Sequence, residues 1–334
     1  MKNWITKVMG LLLVLSLVFS CQKKTDKKRP TIVVIPKATS HVFWQSVHAG
    51  AIKGSKEFDV NMVWVGPEKE DDRQQQIALV DNQVLNQVDG IVLAPLDAMA
   101  LRRPVRVAVQ KNIPVVIIDS ALRESDDVIS SFIATNNREG GRIGGRNLAR
   151  MLDGRGRVIL LRYLEGSAST EAREEGFLEV MKEFSGIEVV SDEQYAGATK
   201  ASAQQASENL LFRFKDADGN LTIDGIFCPN ASTTYGMLQA LRRQRLTDEV
   251  TFVGFDAEPR LVEGVRQGEI SGLVVQNPVK MGYLGVKTMV QILNGEEIEK
   301  RIDTGAAFVE REDLDDPDMQ ELVNPDIEKW LKQE

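Results

Sequence analysis

The stretch TIVVIPKATSHVFW (31–44) decides the fold, because it joins a short apolar strand to a polar and aromatic turn. Other apolar strands along the chain end in the same way. They are PVVIIDS (114–120), which ends on Asp119, GIFCPN (225–230) on Asn230, TFVGFD (251–256) on Asp256 and SGLVVQN (271–277) on Gln276. In open α/β sheets, ligands bind outside the carboxyl ends of the strands. The sequence therefore predicts one pocket that receives polar and aromatic groups from the whole chain.

Strand-like and helix-like runs alternate from Thr31 onward, as in parallel sheets covered by helices. A second series of the same kind begins at Arg157. The pattern predicts a helix over 70–87 with acidic residues in its first turn, and the acidic tail from Glu296 is expected to return as short strands. A chain of this length exceeds what one hydrophobic core accommodates, so we expect two α/β domains.

The N-terminus has the features of a secretory signal. Two lysines accompany an apolar run (8–19) that is too short for a membrane-spanning helix, which needs about 20 residues. The ending VFSC (18–21) resembles a bacterial lipobox, with an ordinary signal peptide and a chance cysteine as the alternative. We expect a signal peptide over 1–20, lipidation of Cys21 and a charged tether over 21–30. The mature protein would then be anchored by lipid to a membrane outside the cytoplasm, on the periplasmic side in a diderm bacterium.

Composition excludes some classes of partner and chemistry. The 334-residue chain carries a net charge of −8 at pH 7, and loss of the two signal lysines makes the mature protein more acidic. A nucleic-acid partner is therefore not expected, because such proteins usually show a basic surface. With Cys21 lipidated, Cys228 has no partner for a disulfide, and its place in an apolar strand indicates a buried residue rather than a catalytic thiol.

For two motifs, the sequence favours a structural role over ligand or metal binding. GGRIGG (140–145) departs from G-x-G-x-x-G spacing, so close helix packing is favoured over a phosphate cradle. The run DADGN (216–220) begins like a calcium loop but lacks its later glycine and glutamate, which favours an ordinary turn. The sequence contains no H-E-x-x-H, C-x-x-C or G-x-S-x-G motif. We therefore expect a binding protein without metal or cofactor rather than an enzyme.

The pair Phe43-Trp44 suits a sugar ligand. Neighbours on a helix point about 100° apart, so at least one of these rings can face a cleft. Their flat apolar faces match the C–H patches of a sugar ring, while burial of both in a core is the alternative.

The polar strand ends and one arginine complete the predicted pocket. Asp119, Asn230, Asp256 and Gln276 could each cap a helix or bind loop amides, but four such groups at one sheet edge favour a site. Arg173 lies in a charged helix and could be solvated; beside an aspartate, its planar guanidinium could instead hold two ligand oxygens.

From Thr31 to about Phe308 the chain resembles the ribose-type periplasmic sugar-binding proteins, the substrate receptors of bacterial ABC importers. The resemblance rests on motifs in the family's order. They are HVFW (41–44), DGIVLAPLD (89–97), IPVVIIDS (113–120), ATNNREGG (134–141), STEAREEGF (169–177), GIFCPN (225–230), FVGFD (252–256) and VVQNP (274–278).

The resemblance implies the type I periplasmic binding protein fold, with two Rossmann-like, doubly wound parallel-sheet domains joined by a three-crossover hinge. The N-terminal lobe is expected over 31–134 plus 277–305, and the C-terminal lobe over 135–276 plus 306–334. The hinge strands would lie near Thr135, Gln276 and Gly305, and the lobes would close over a bound ligand.

The resemblance also implies the contacts of the ligand. The aromatic rings are those of Phe43 and Trp44, and the hydroxyl-binding groups are His41, Asp119, Arg173, Asn230, Asp256 and Gln276. His41 stands where ribose binders usually have Asn, and Ser120 stands where they have Arg after the aspartate. Tyr195 is a weaker candidate for a further aromatic contact. These departures favour a neutral monosaccharide or polyol in general over ribose in particular.

The expected function is that of a monomeric receptor that delivers its ligand to an ABC permease. A sensor that presents the sugar to a chemoreceptor or histidine kinase is the alternative. A LacI-type repressor shares the fold, but residues 1–30 have the pattern of a signal and tether rather than of a helix-turn-helix.

Overall fold

The predicted alternation of strands and helices is present in the computed structural model, which describes residues 29–333. The first sheet consists of β1 (Thr31–Ile35), β2 (Asn61–Trp64), β3 (Gly90–Leu93), β4 (Val115–Ile118), β5 (Ser131–Ala134) and β11 (Arg301–Asp303). All of its neighbouring strands are parallel, in the order β2-β1-β3-β4-β5-β11. This sheet defines the first lobe.

The second sheet repeats the arrangement. It consists of β6 (Arg155–Leu160), β7 (Gly186–Ser191), β8 (Gly225–Phe227), β9 (Thr251–Phe255), β10 (Gly272–Gln276) and β12 (Ala306–Val309). The order is β7-β6-β8-β9-β10-β12, and only the edge strand β12 runs antiparallel to its neighbour. The predicted fold class, with two doubly wound α/β domains, is confirmed.

Helices cover both faces of each sheet. Those of the first lobe are α1 (Val42–Glu57), α2 (Arg73–Leu85), α3 (Arg102–Gln110) and α9 (Pro278–Leu293). Those of the second lobe are α4 (Asn137–Met151), α5 (Ala168–Met181), α6 (Lys200–Arg213), α7 (Ala231–Gln244) and α8 (Pro259–Gln267). The tail adds a 3₁₀ helix (Arg311–Asp315), α10 (Pro317–Val323) and α11 (Glu328–Leu331).

The apolar strands are explained by this two-sided cover. In β1, Ile32 and Val34 pack in the hydrophobic cluster on one face of the sheet, while Val33 and Ile35 pack in the cluster on the other. A parallel strand with helices on both sides has no solvent face, so it is apolar throughout instead of alternating. Charged residues therefore occur at the ends of the strands, where the site forms.

The chain crosses between the lobes three times: after β5, after β10 and between β11 and β12. The crossings are tied together by Thr135, whose Oγ1 donates to Gln276 Oε1 at 2.8 Å and lies 3.3 Å from the carbonyl oxygen of Gly305. Gly305 has φ 84°, a left-handed conformation that favours glycine.

Two local predictions are corrected. The helix predicted over 70–87 begins only at Arg73, because the Asp72 carboxylate caps it by accepting a hydrogen bond from the backbone N–H of Gln75 at 2.9 Å. Glu70 therefore lies outside the helix rather than in its first turn. The tail does return as strands β11 and β12, but beyond Glu310 it is helical rather than extended.

The glycine-rich run GGRIGG lies inside α4, as helix packing requires. A Cβ atom on Gly141 would lie 1.9 Å from the carbonyl oxygen of Arg173 on α5, so the two helix backbones touch at this residue. The interpretation as a packing motif is confirmed, and the contact fixes α5 and Arg173 relative to α4.

The expected signal peptide, Cys21 and the tether up to residue 28 lie outside the described residues. Among residues 29–333, no helix is both long and apolar enough to span a membrane.

Candidate functional site

A cavity lies between the carboxyl ends of the two sheets. The space inside it that is open to water-sized molecules is about 30 Å³, well below the roughly 300–1,000 Å³ typical of small-molecule sites. The eight main predicted residues all line it: His41, Phe43, Trp44, Asp119, Arg173, Asn230, Asp256 and Gln276. Sequence reasoning missed Lys37, Glu70, Tyr163, Ser167, Ser169, Thr170 and Ala231, which line it as well.

Asp119 and Asp256 occupy corresponding places in the two lobes. Each follows a central strand and continues its ladder by one hydrogen bond, from Asp119 N to Ile133 O and from Asp256 N to Val274 O. Each then turns out of the sheet with a left-handed backbone, φ 62° and 71°. Aspartate tolerates this conformation better than most residues, and the turn brings both carboxylates to the cavity.

Asp256 is held rigidly by neighbours. Its Oδ1 accepts a hydrogen bond from Gln276 Nε2 at 2.7 Å, and its Oδ2 accepts one from the backbone N–H of Ala231 at 2.9 Å. Burial raises the pKa of Asp256, although Arg173 and these hydrogen bonds oppose the rise. Gln276 also accepts from Thr135, so this side chain connects the hinge to the site.

Arg173 is buried in the cavity wall, with 2% of its surface exposed. Its Nε donates to Asn137 Oδ1 at 2.7 Å and its Nη1 to the Pro229 carbonyl at 3.0 Å. The guanidinium carbon lies 4.0 Å from the centroid of the Phe255 ring. Burial lowers the pKa of Arg173, while the carboxylates of Asp256, Asp119 and Glu70 oppose this shift. A solvated role for Arg173 is therefore excluded.

Asn230 both caps a helix and lines the cavity. Its Oδ1 accepts from the backbone N–H and the hydroxyl of Thr233, at 3.1 and 2.8 Å. The capping interpretation considered for this residue is thus correct for its oxygen, and the amide nitrogen takes part in neither of these bonds.

Lys37 joins the lobes. Its Nζ lies 2.8 Å from Asp119 Oδ2 and donates to Ser169 Oγ, at the start of α5, at 3.0 Å. Lys37 ends the first apolar strand just as Asp119 ends β4, so the strand-end pattern contained a signal for it.

Glu70 lies between the aromatic residues of the two lobes. Its Oε1 accepts from Trp44 Nε1 and its Oε2 from the Tyr163 hydroxyl, each at 2.5 Å. Burial and then Glu70 raise the pKa of Tyr163 well above its usual value, so the phenol remains a proton donor. The signal for Glu70 was hidden because its segment was assigned to a helix.

The two aromatic residues satisfy both interpretations considered from the sequence. The rings of Phe43 and Trp44 meet edge to face, with centroids 4.9 Å apart and planes at 89°. Trp44 belongs to the first-lobe core and is 2% exposed, yet it also lines the cavity beside Phe43.

His41 faces the opposite lobe. Its Nδ1 lies 3.1 Å from Oε1 of the buried Glu258, whose other oxygen accepts from Lys200 Nζ at 2.6 Å. Together with the Lys37–Ser169 and Glu70–Tyr163 bonds, this contact joins the two lobes across the cavity.

The two weaker candidates lie elsewhere. The buried Ser120 hydroxyl accepts from the backbone N–H of Ser169 at 3.2 Å, behind the cavity wall. Tyr195 lies outside the cavity lining and is 42% exposed, with its ring 6.0 Å from the Arg162 guanidinium carbon.

Outside the cavity, the remaining motifs have structural roles. Cys228 is buried in the second-lobe core, and burial raises the pKa of its thiol well above the usual value. Asp216 accepts hydrogen bonds from the backbone N–H groups of Asp218 and Asn220, which forms a turn. Among residues 29–333, no cluster of three or more His, Cys, Asp or Glu side chains could hold a metal ion.

Comparison with known proteins agrees with this architecture. A family model described as "Periplasmic binding protein domain" matches residues 32–297. The D-allose-binding periplasmic protein of Escherichia coli (strain K12) is 30% identical over 263 residues, which cover 77% of this chain and 82% of that protein. The ribose import binding protein RbsB of the same organism is 26% identical over 273 residues, covering 82% and 88%.

A solved structure is similar throughout. The carbohydrate transporter solute binding protein from Agrobacterium radiobacter, in complex with D-arabinose, has a TM-score of 0.83 and 32% identity, covering 89% of this chain and 100% of that chain. Fold and cavity together define a two-lobed solute-binding protein. The chain belongs to the periplasmic binding protein family, which acts outside the cytoplasm, and the predicted resemblance is confirmed.

Proposed function

We propose that this protein binds a neutral monosaccharide or polyol between its two lobes and delivers it to an ABC permease. The observation that carries the proposal is the convergence of Asp119 and Arg173, from different lobes, on one closed cavity. Carboxylate and guanidinium groups are well suited to hydroxyls, which both donate and accept hydrogen bonds. The relatives named above bind sugars, which supports the same ligand class.

The proposed contacts are those predicted from the sequence. Phe43 and Trp44 supply apolar ring surface, while His41, Asp119, Arg173, Asn230, Asp256 and Gln276 bind hydroxyls. Ser120 and Tyr195 are not among the proposed ligand contacts because neither lines the cavity.

The charge of the cavity opposes an anionic ligand. Three carboxylates, those of Glu70, Asp119 and Asp256, line it together with two cationic side chains, Lys37 and Arg173. A phosphate or carboxylate would therefore enter a wall with no net positive charge, and burying like charges together is costly.

We propose the lobe boundaries given above, with the hinge at Thr135, Gln276 and Gly305. Support comes from the strand membership of the two sheets and from the hydrogen bonds of Thr135. A ligand that contacts both lobes favours the closed arrangement, since it gains those contacts only there.

The proposed location is a membrane surface outside the cytoplasm. The protein would be anchored there by lipid on Cys21 after removal of residues 1–20. A single acyl chain anchors weakly, so multiple acylation is required for stable attachment. Membrane fractionation of wild type and Cys21→Ala tests this. Retention of the variant in the membrane fraction would count against the anchor.

A thermal-shift panel tests the ligand class. It contains neutral pentoses, hexoses and inositols, together with their phosphorylated and carboxylated derivatives. We expect saturable stabilisation by at least one neutral compound. Stabilisation by a phosphorylated compound with no response to any neutral sugar or polyol would overturn the proposal.

A further inference from the structure

Glu70 lines the cavity, and its hydrogen-bond donors are both uncharged. The indole N–H of Trp44 and the hydroxyl of Tyr163 each donate to one of its oxygens. Within residues 29–333, no lysine, arginine or histidine forms an ion pair with this carboxylate. Each carboxylate oxygen can accept a second hydrogen bond, so the group keeps capacity for a further donor.

The other charges of the cavity are matched more directly. Lys37 lies 2.8 Å from Asp119. Asp256 is the carboxylate that acts most strongly on the buried Arg173. His41 faces Glu258, which Lys200 neutralises. Glu70 also acts on Arg173, but more weakly, so three carboxylates face two cations and, among the described residues, Glu70 has no ion pair of its own. A cationic group on a bound ligand would balance the remaining charge.

A second, independent observation indicates that a polar ligand binds in the same cavity. The Ser167 hydroxyl lines the cavity, is 1% exposed and forms no hydrogen bond among the described residues. Ser167 occupies the N-cap position of α5 without capping it. Buried hydroxyls are almost always paired with protein or water, and a polar group of a ligand in the cavity would pair this one.

We propose that Glu70 forms a subsite for an ammonium group, so that the cavity binds an amino-substituted sugar or polyol more tightly than the neutral parent. The inference rests on the proposed function and extends its ligand range from neutral to cationic members of the same class. A hydroxyl and an ammonium group both donate charge-assisted hydrogen bonds to a carboxylate, but the ammonium adds the attraction between two opposite charges.

Calorimetry with matched pairs tests the subsite. D-glucose, D-galactose, D-allose and myo-inositol are each compared with amino-deoxy derivatives substituted at every position in turn, below the pKa of the amine. We expect at least one derivative to bind about tenfold more tightly than its parent. Above the pKa of that amine the preference disappears, because the neutral amine carries no charge.

Two variants separate charge from packing. Glu70→Gln keeps the shape but removes the charge, and should bring the amino and neutral ligands within about twofold of each other. Tyr163→Phe removes a donor and keeps the charge, so it should weaken both ligands alike and leave their ratio unchanged.

The results that would overturn the ammonium subsite differ from those that would overturn the proposed function. Binding of neutral sugars with every amino derivative weaker, or a preference that persists in Glu70→Gln, overturns the subsite and leaves the proposed function intact. Binding of amino derivatives alone supports the subsite and restricts the proposed function to cationic ligands. No binding by either group overturns both.

Discussion

The Lys37 ammonium of the first lobe donates a hydrogen bond to the Ser169 hydroxyl of the second lobe at 3.0 Å, while it lies 2.8 Å from the Asp119 carboxylate. One buried cation thus joins the ends of β1 and β4 to the N-terminus of α5. The contact spans the two lobes, so it joins them at this side of the cavity wall.

Replacement of Lys37 is expected to weaken closure. Lys37→Met leaves Asp119 buried without its cation, and breaking one half of a buried pair costs roughly 3–5 kcal/mol. We expect a lower melting temperature and at least about tenfold weaker sugar binding by calorimetry. Lys182→Met, at the exposed end of α5, is the matched control. Equal affinities for the two variants would contradict the bridging role of Lys37.

The Tyr163–Glu70 bond is expected to contribute to the binding of every ligand. Tyr163→Phe removes a hydrogen bond to a carboxylate between the lobes, which contributes about 1.5–3 kcal/mol. Affinity for all bound sugars should fall by about ten- to a hundredfold, and small-angle scattering should show a larger population of open molecules without ligand. An unchanged affinity and unchanged scattering profile would show that the bond does not stabilise the closed form.

Gly141→Ala is expected to destabilise the second lobe. The new methyl group would lie 1.9 Å from the Arg173 carbonyl oxygen, so α4 and α5 must separate. Overpacking of this kind costs about 1–3 kcal/mol or more. The melting temperature should fall, and sugar affinity should fall with it because Arg173 moves. Arg146→Ala, on the half-exposed face of α4, serves as the control and should change neither quantity. Wild-type behaviour of Gly141→Ala would mean that the contact is not tight.

Glu174 is expected to make stability depend on pH. Burial raises its pKa from 4.5 to about 7, against the opposing effects of the Tyr163 backbone N–H and Arg162. The folded state therefore holds a proton that the unfolded state has lost between about pH 4.5 and 7. In that window the free energy of unfolding falls as pH rises, by at most about 3 kcal/mol from this group.

Urea denaturation at a series of pH values tests this. Glu174→Gln should lack the decrease that the wild type shows across the window, while Glu175→Gln, an exposed neighbour on α5, should retain it. Parallel profiles for wild type and Glu174→Gln would contradict the raised pKa.

Much of the site could be predicted because polar residues that end the apolar strands are expected to line the ligand pocket. Asp119 and Asp256 follow apolar strands directly, and the chain geometry of parallel sheets brings such residues to one edge. The same rule applied to Lys37 would have found it. The burial of Arg173 was harder to predict. Its helix has a charged sequence, which gives no sign of the close contact with Gly141 that buries this side of the helix.

Glu70 and Tyr163 were not predictable from local pattern. Glu70 was assigned to the helix that Asp72 in fact caps, and helix starts are poorly defined by acidic runs. Tyr163 lies three residues beyond Leu160, where β6 ends, so it does not directly follow the strand. Their contact depends on how two lobes meet, a relationship between distant segments that strand and helix patterns do not encode.

Calorimetric titration of the best neutral ligand from the panel into wild type, Asp119→Ala and Arg173→Ala tests the central claim most directly. Each substitution removes charged hydrogen bonds from one lobe, each worth roughly 1.5–3 kcal/mol. We expect either change to weaken binding by about ten- to a hundredfold while circular dichroism shows a folded protein. Wild-type affinity in both folded variants would contradict a sugar site between the lobes.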